Sequence, residues 1–202
     1  MSSMVDAAPD VNARIAERVR ELRAEQGLSL ETLSARSGVS RSMISLIERG
    51  ESSPTATVVE KLAGALGVTM ATMFEGSAAT RAASGPIARR ADQIEWEDPG
   101  SGYVRRNVTP PATKQPIQLV DVQFPPGRRV VFETGPRDVQ VYQQIWLLDG
   151  TMEITVGADR YRLHEGDCLA MQMDKPIVFH NPGRKRARYL VAMASSATPK
   201  RG

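Results

Sequence analysis

Gly38-Val39-Ser40-Arg41-Ser42-Met43-Ile44-Ser45-Leu46-Ile47-Glu48-Arg49-Gly50 decides how the first third of the chain is read. Ser40 is suited to accept from the open N–H groups of a first helical turn, as an N-cap does. Gly50 stands where a helix end favours left-handed dihedrals. Between them Ile44 and Ile47 share one face with Val39 below, whereas Arg41, Ser42, Ser45 and Leu46 point elsewhere. A helix of under three turns is unstable alone in water. Its apolar side must dock on neighbours, which leaves small polar groups and one long cation exposed at its N-terminal end.

Upstream, Val11, Ile15, Val19 and Leu22 step by four, four and three residues, the stripe of one helix, which Gly27 ends. Ser29 caps a second, with Leu30 and Leu33 on its face and Gly38 closing it. Downstream, Pro54-Thr55 opens a fourth with Val58, Leu62 and Ala65 in step and Gly67 as its stop; Thr69 caps a last short turn through Met70, Met73 and Phe74. The pattern predicts five helices within residues 10–75, an all-α domain. Its third helix presents its polar side as a recognition helix does to a DNA major groove.

Residues 76–102 change character. Gly-Ser-Ala-Ala-Thr-Arg-Ala-Ala-Ser-Gly-Pro carries too little apolar surface to fold alone and reads as a linker. Beyond it the period switches to two: Met152, Ile154 and Val156 alternate with polar neighbours. Turn signals recur at Pro125-Pro126-Gly127, Asp149-Gly150, Glu165-Gly166-Asp167 and Asn181-Pro182-Gly183. Short strands at that spacing predict a sandwich or barrel over 103–195.

With 202 residues the chain holds one large domain or two small ones. The single cysteine, Cys168, precludes an intramolecular disulfide and favours a reducing compartment. No apolar run approaches the ~20 residues of a membrane span, and Met1–Asp10 lacks a signal-peptide layout. The expected location is cytoplasmic, with no membrane partner. Net charge is +3, yet residues 1–75 hold eight Lys and Arg against ten Asp and Glu. Bulk charge therefore supports phosphate binding only weakly; individual cations must carry that case.

Residues 11–75, above all GLSLETLSARSGVSRSMISLIERGESSPTATVVEKLAGALGV, resemble the DNA-binding domain of the XRE (Cro-type, lambda-repressor-like) helix-turn-helix regulators. The resemblance implies that Ser29 and its helix N-terminus lie near a phosphate, and that the third helix, capped by Ser40, enters the major groove. It places Arg41 and Ser42 at base edges, with Arg41 able to reach guanine in bidentate fashion. Ser45 and Leu46 lie one turn on; Thr55 and Thr57 fall on the DNA backbone or serve only to cap the fourth helix. Arg49 and Arg36 are phosphate contacts or solvated charges. It also implies a partly buried ion pair between Arg23 and Glu48, and a dimer reading half-sites about one helical turn apart.

Residues 103–195 resemble a small cupin barrel: IWLLDGTMEITVG matches the end of the first cupin motif, and RYRLHEGDCLAMQMDKPIVFHNPG the second. The family's metal ligands are missing. Its glutamate position is Gln143, its His-x-His pair falls near Pro136–Val139, and its second-motif histidine position is Ile177. Neither His164 nor His180 matches. No metal and no other cofactor is expected, since a transition metal needs imidazole and carboxylate ligands. Gln143, Ile145, Leu147, Met171, Ile177 and Phe179 would line the barrel, around either a small-molecule effector pocket or a filled core; Tyr142 and Trp146 would then point outward. Cys168 reads as a buried thiol in preference to a redox switch.

Together the two resemblances imply a multi-domain α and β protein: a five-helix DNA-binding domain, a linker and a cupin-type antiparallel β-barrel. The implied function is a homodimeric transcriptional regulator, not an enzyme, that binds a double-stranded DNA operator as a repressor. Two alternatives stay open at this point, a cupin enzyme with an accessory DNA-binding head and an antitoxin-like repressor dependent on a partner.

Overall fold

The computed structural model describes residues 10–75, 85–111, 116–133 and 139–197. Among these residues four α-helices come first: α1 (Val11–Glu25), α2 (Leu30–Ser37), α3 (Arg41–Glu48) and α4 (Ala56–Ala65). Caps set their starts. Asp10, Ser29 and Ser40 each accept a backbone N–H of the turn they precede, from Asn12, Thr32 and Met43. Gly38 closes α2 at φ 68°, a conformation that a side chain resists, so the α2–α3 turn can be tight. Ile15, Val19, Leu33, Ile44, Ile47 and Leu62 meet in the core. The expected fifth α-helix is instead a 3₁₀ helix, Met70–Phe74. Only five residues follow the Thr69 cap, and a run so short closes on i→i+3 bonds.

Ten strands follow among the described residues: β1 (Glu95–Glu97), β2 (Val104–Asn107), β3 (Ile117–Phe124), β4 (Arg129–Phe132), β5 (Val139–Asp149), β6 (Thr151–Val156), β7 (Asp159–His164), β8 (Cys168–Gln172), β9 (Ile177–His180) and β10 (Ala187–Ala197). They form two antiparallel sheets, β1-β2-β3-β10-β5-β8 and β4-β9-β6-β7, rather than the closed barrel expected. Val122, Ile145, Leu147 and Tyr189 of the larger sheet and Val130, Ile154, Ile177 and Phe179 of the smaller supply the core. Alternation explains it: along β5, Val141, Ile145 and Leu147 are buried while Tyr142, Gln144 and Trp146 are exposed. Asn181 ties the two sheets. Wholly buried, its amide donates to the carbonyls of Phe124 (3.0 Å) and Lys185 (2.9 Å), and its side-chain oxygen accepts from Gly183 N–H.

The interval expected to be a linker is structured in part. Residues 76–84 lie outside the described residues, but β1 pairs with β2 and buries Trp96. Trp96 stands between the two halves, 5.3 Å (ring centroids) from Phe74 of the 3₁₀ helix and 6.0 Å from Tyr103, which stacks on Phe124. Polar contacts flank these rings. Asp98 accepts the Ala56 N–H at the start of α4 (2.8 Å), Thr57 donates to the Val131 carbonyl (3.0 Å), and Asn107 to that of Ala71 (3.0 Å). Lys61 pairs with Glu133 at 2.7 Å. The helical domain is docked on the strands by these bonds. No helix among the described residues is long and apolar enough to cross a membrane.

On the larger sheet, Asp121 is 5% exposed and accepts from Arg106, its cross-strand partner on β2, and from Arg188 on β10 (3.1 and 3.0 Å). Burial works to raise its carboxyl, but the hydrogen bonds and charges of Arg188 and Arg106 outweigh it and hold the group below its ordinary value. A depressed carboxylate stabilises the fold above its unfolded pKa, about 4, and loses that contribution as pH falls through the folded value. Asp121→Asn is therefore expected to cost about 1.5–3 kcal/mol at pH 7. In urea titrations the gap to the unsubstituted protein should narrow at pH 3.

Candidate DNA-reading surface and interior cavity

The polar side of α3 begins at its cap. The Ser40 hydroxyl accepts from Met43 N–H (3.3 Å) and lies 3.2 Å from the Ser42 hydroxyl, so much of its capacity is used in holding the helix start. Arg41 and Ser42 are exposed. Arg41 meets Glu31 of α2 at 3.7 Å, and both side chains are largely in solvent, so the pair is weak and readily exchanged for a base edge or phosphate. Ser45 and Leu46 are half-buried one turn on. Arg49 is forked onto Glu51 by two 2.8 Å bonds and also donates to Ser45. That hydrogen bonding raises the Arg49 pKa and lowers that of Glu51. A phosphate contact by Arg49 must therefore displace Glu51. Ser29, exposed at the start of α2, accepts from Thr32 N–H at 3.0 Å.

Behind this surface Arg23 and Glu48 form a bidentate pair, Nε–Oε1 2.6 Å and Nη2–Oε2 2.8 Å, while Nη1 donates to the Leu28 carbonyl (2.9 Å). The hydrogen bond that Arg23 donates to Glu48 raises the Arg23 pKa against the opposing effect of burial. The pair fastens the end of α3 to the end of α1, and so fixes the attitude of the reading helix.

Two sequence expectations are corrected. Thr55 and Thr57, placed on the DNA backbone, lie at the junction with the strands: Thr55 packs beside Gly100, and Thr57 bonds to β4. The first N–H of α4 already has Asp98, so this helix end faces protein. Cys168, expected to be buried, is exposed on β8, paired across from Trp146.

A cavity of about 60 Å³ lies where the helical domain covers the strands. Gln143 and Phe179 line it. Ile145 and Ile177 do not; both are wholly buried in the packed core. Met171 lies along a separate open groove with Ile117, Tyr142 and Ala192, and the cavity methionine of β8's end is Met173. Sequence reasoning missed Tyr103 and Arg105, and also Glu60, Thr69 and Met70 of the helical domain. The alternation Tyr103-Val104-Arg105 was the available signal, buried residues flanking a half-buried one. Burial pushes the Arg105 guanidinium below its ordinary value, with Tyr103 and Glu60 pulling it back. Among the described residues no three His, Cys, Asp or Glu side chains are grouped to hold a metal ion.

A helix-turn-helix family model matches residues 19–72, which span α2, α3 and α4. The chain is 24% identical over 171 residues to the HTH-type transcriptional regulator SutR of Escherichia coli K12, covering 85% of this chain and 89% of that one. It is 41% identical over 59 residues to an HTH-type transcriptional regulator of Sinorhizobium fredii, covering 29% of this chain and 77% of that one. The crystal structure of an HTH_3 family transcriptional regulator from Vibrio cholerae superposes with a TM-score of 0.71 at 22% identity, over 91% of this chain and 96% of that one. The likeness of fold therefore spans both halves.

Breaking the Arg23–Glu48 fork tests its role. Glu48→Ala should lower stability by about 1.5–3 kcal/mol in chemical denaturation followed by helical circular dichroism. Glu51→Ala, which removes a solvent-exposed partner, should leave the midpoint unchanged.

Proposed function

Because this chain belongs to the helix-turn-helix family of DNA-binding transcriptional regulators, we propose that it acts as a homodimeric repressor whose strand domain both dimerises and senses a small-molecule effector. The observation that carries the DNA-reading part is α3: capped by Ser40, braced by Arg23–Glu48, and exposing Arg41 and Ser42 on a protruding polar side. Arg41 has the reach for a guanine edge. Ser42, with Ser45 and Leu46 behind it, completes the base-facing surface, and Ser29 with the α2 N-terminus takes a phosphate. Ser40 and Arg49 act mainly as braces on this surface. One such head contacts too few bases for tight, selective binding, so a second copy is needed.

The outer face of the larger sheet is the surface that fits a second copy. Ile117, Tyr142 and Trp146 are 54%, 46% and 50% exposed, and Cys168 and Ala170 continue the patch. Shallow grooves between these side chains include Leu190 and Ala192 of β10. Large aromatic and apolar groups in one patch on a flat sheet favour a protein interface. A two-fold pairing through this face joins two heads to one palindromic site. A dimer seated across an operator blocks transcription by occupancy, which is why the repressor reading is preferred.

Selection of genomic fragments by the purified protein, followed by footprinting, tests the reader. A short dyad should be protected, and Arg41→Ala with Ser42→Ala should lose about 1–3 kcal/mol per half-site for that dyad while keeping salt-sensitive binding to unrelated DNA. Absence of any enriched dyad overturns the proposal. Trp146→Asp should convert the protein to monomers in light scattering and weaken operator binding. A dimer unaffected by that change would place the interface elsewhere.

A further inference from the structure

The cavity beneath the helical domain is walled mainly by apolar side chains, yet polar groups reach it too, among them Arg105 on β2, Gln143 on β5 and Glu60 on α4, with Thr69, Tyr103 and Tyr189 beside them. Arg105 is 6% exposed, with its guanidinium 4.8 Å from the centre of the Phe74 ring, and its buried Nε has no hydrogen-bond partner. A buried donor atom left without a partner is costly and seldom retained without use. Gln143 turns its amide to the sulfurs of Met173 and Met193, at 2.9 and 3.3 Å. Thioethers are weak acceptors. The Arg105 Nε, without a partner, and the Gln143 amide, bonded to sulfur, thus both border this space, and the Glu60 carboxylate borders it from the other domain.

These features select a ligand. An oxygen pair satisfies Arg105 in the bidentate geometry that a guanidinium prefers. A bare carboxylate would bring an uncompensated negative charge to a cavity that already holds one arginine and one glutamate, and burying net charge is expensive. A positive group on the same molecule, facing Glu60, removes that penalty. Size sets the rest. About 60 Å³, against the ~10–15 Å³ that one water requires, admits about four to six non-hydrogen atoms. Met70, Met173 and Met193 are flexible enough to yield room for one or two more.

We propose that this cavity binds a small α-amino acid, with its carboxylate on Arg105 and Gln143, its ammonium on Glu60 and its short apolar side chain among the methionines. The proposal rests on the reading that the strand domain senses an effector, and names the chemical class. Since Glu60, Thr69 and Met70 belong to the helical domain, the ligand bridges the two domains directly. Occupancy is thereby coupled to the seat of α4, and through the helical core to α3.

The test uses the full-length protein with L-alanine and L-2-aminobutyrate, and with propionate and propylamine as probes lacking one charge each. Calorimetric titration should show the amino acids binding at least about tenfold more tightly than either single-charge probe. Thermal unfolding should shift upward in the same order. Glu60→Gln and Gln143→Leu, which keep volume, should each weaken amino-acid binding about tenfold, and Arg105→Met should abolish it. Propionate or propylamine binding as tightly as alanine overturns the proposal, as does unchanged amino-acid affinity in both Glu60→Gln and Gln143→Leu. Operator affinity measured on the same preparations separates the two levels. Intact operator binding with no amino-acid binding rejects the ligand class and leaves the DNA reader standing. An operator affinity that a bound amino acid leaves unaltered rejects the sensing role instead.

Discussion

One buried carboxylate joins the two halves of this molecule. Asp98 lies at the turn between β1 and β2, 3% exposed, and its side chain accepts from Ser101 N–H and the Ser101 hydroxyl as well as from the first N–H of α4. A helix N-terminus has open donors and a partial positive charge, both of which an anion satisfies. Most helices find that partner locally; α4 finds it 42 residues further on, in another domain. The position of the reading head on the strands, the roof of the cavity and the burial of Trp96 all depend on this joint holding.

The helical half was largely legible in the sequence because its determinants are local. Serine caps, terminal glycines and three- and four-residue steps of Ile, Leu and Val act within one or two turns, so α1 to α4 fell where their spacing placed them. The 3₁₀ helix departed from expectation because periodicity cannot tell five helical residues from five 3₁₀ residues. The strands were legible as strands, but which pair with which depends on contacts far apart in sequence, and so two sheets replaced the expected barrel. Thr55 and Thr57 show the limit clearly. Their type and position suit a phosphate as well as a protein neighbour, Gly100 for Thr55 and a carbonyl of β4 for Thr57, and only the docking of the domains decides between them. Arg105 was hidden differently: Arg105 and Arg106 look alike in sequence, yet one points into the cavity and the other to Asp121.

Three surfaces are arranged around the joint with distinct chemistry. The N-terminal side of α3 is polar and exposed, the outer face of β5, β8 and β10 is apolar and exposed, and the cavity is apolar with two opposed charges. Each therefore suits a different kind of partner, on the proposals above a nucleic acid, a second copy and a small zwitterion respectively. The helical domain belongs to two of the three, since α4 walls the cavity while α3, packed against the same core, reads outward. A change at one is carried to the other by a few close-packed side chains, with no long connector between.

The two tryptophans sit at the two places where such changes would be felt. Trp96 is shielded between Phe74 and Tyr103 at the domain junction, and Trp146 stands half in water on the outer sheet face. Indole emission shifts to longer wavelength as water gains access to the ring. Undocking of the head would therefore redden the light from one indole, and association of two copies would turn the other toward the blue. The chain thus carries its own pair of optical gauges, opposite in sign, one at the domain junction and one on the outer sheet face.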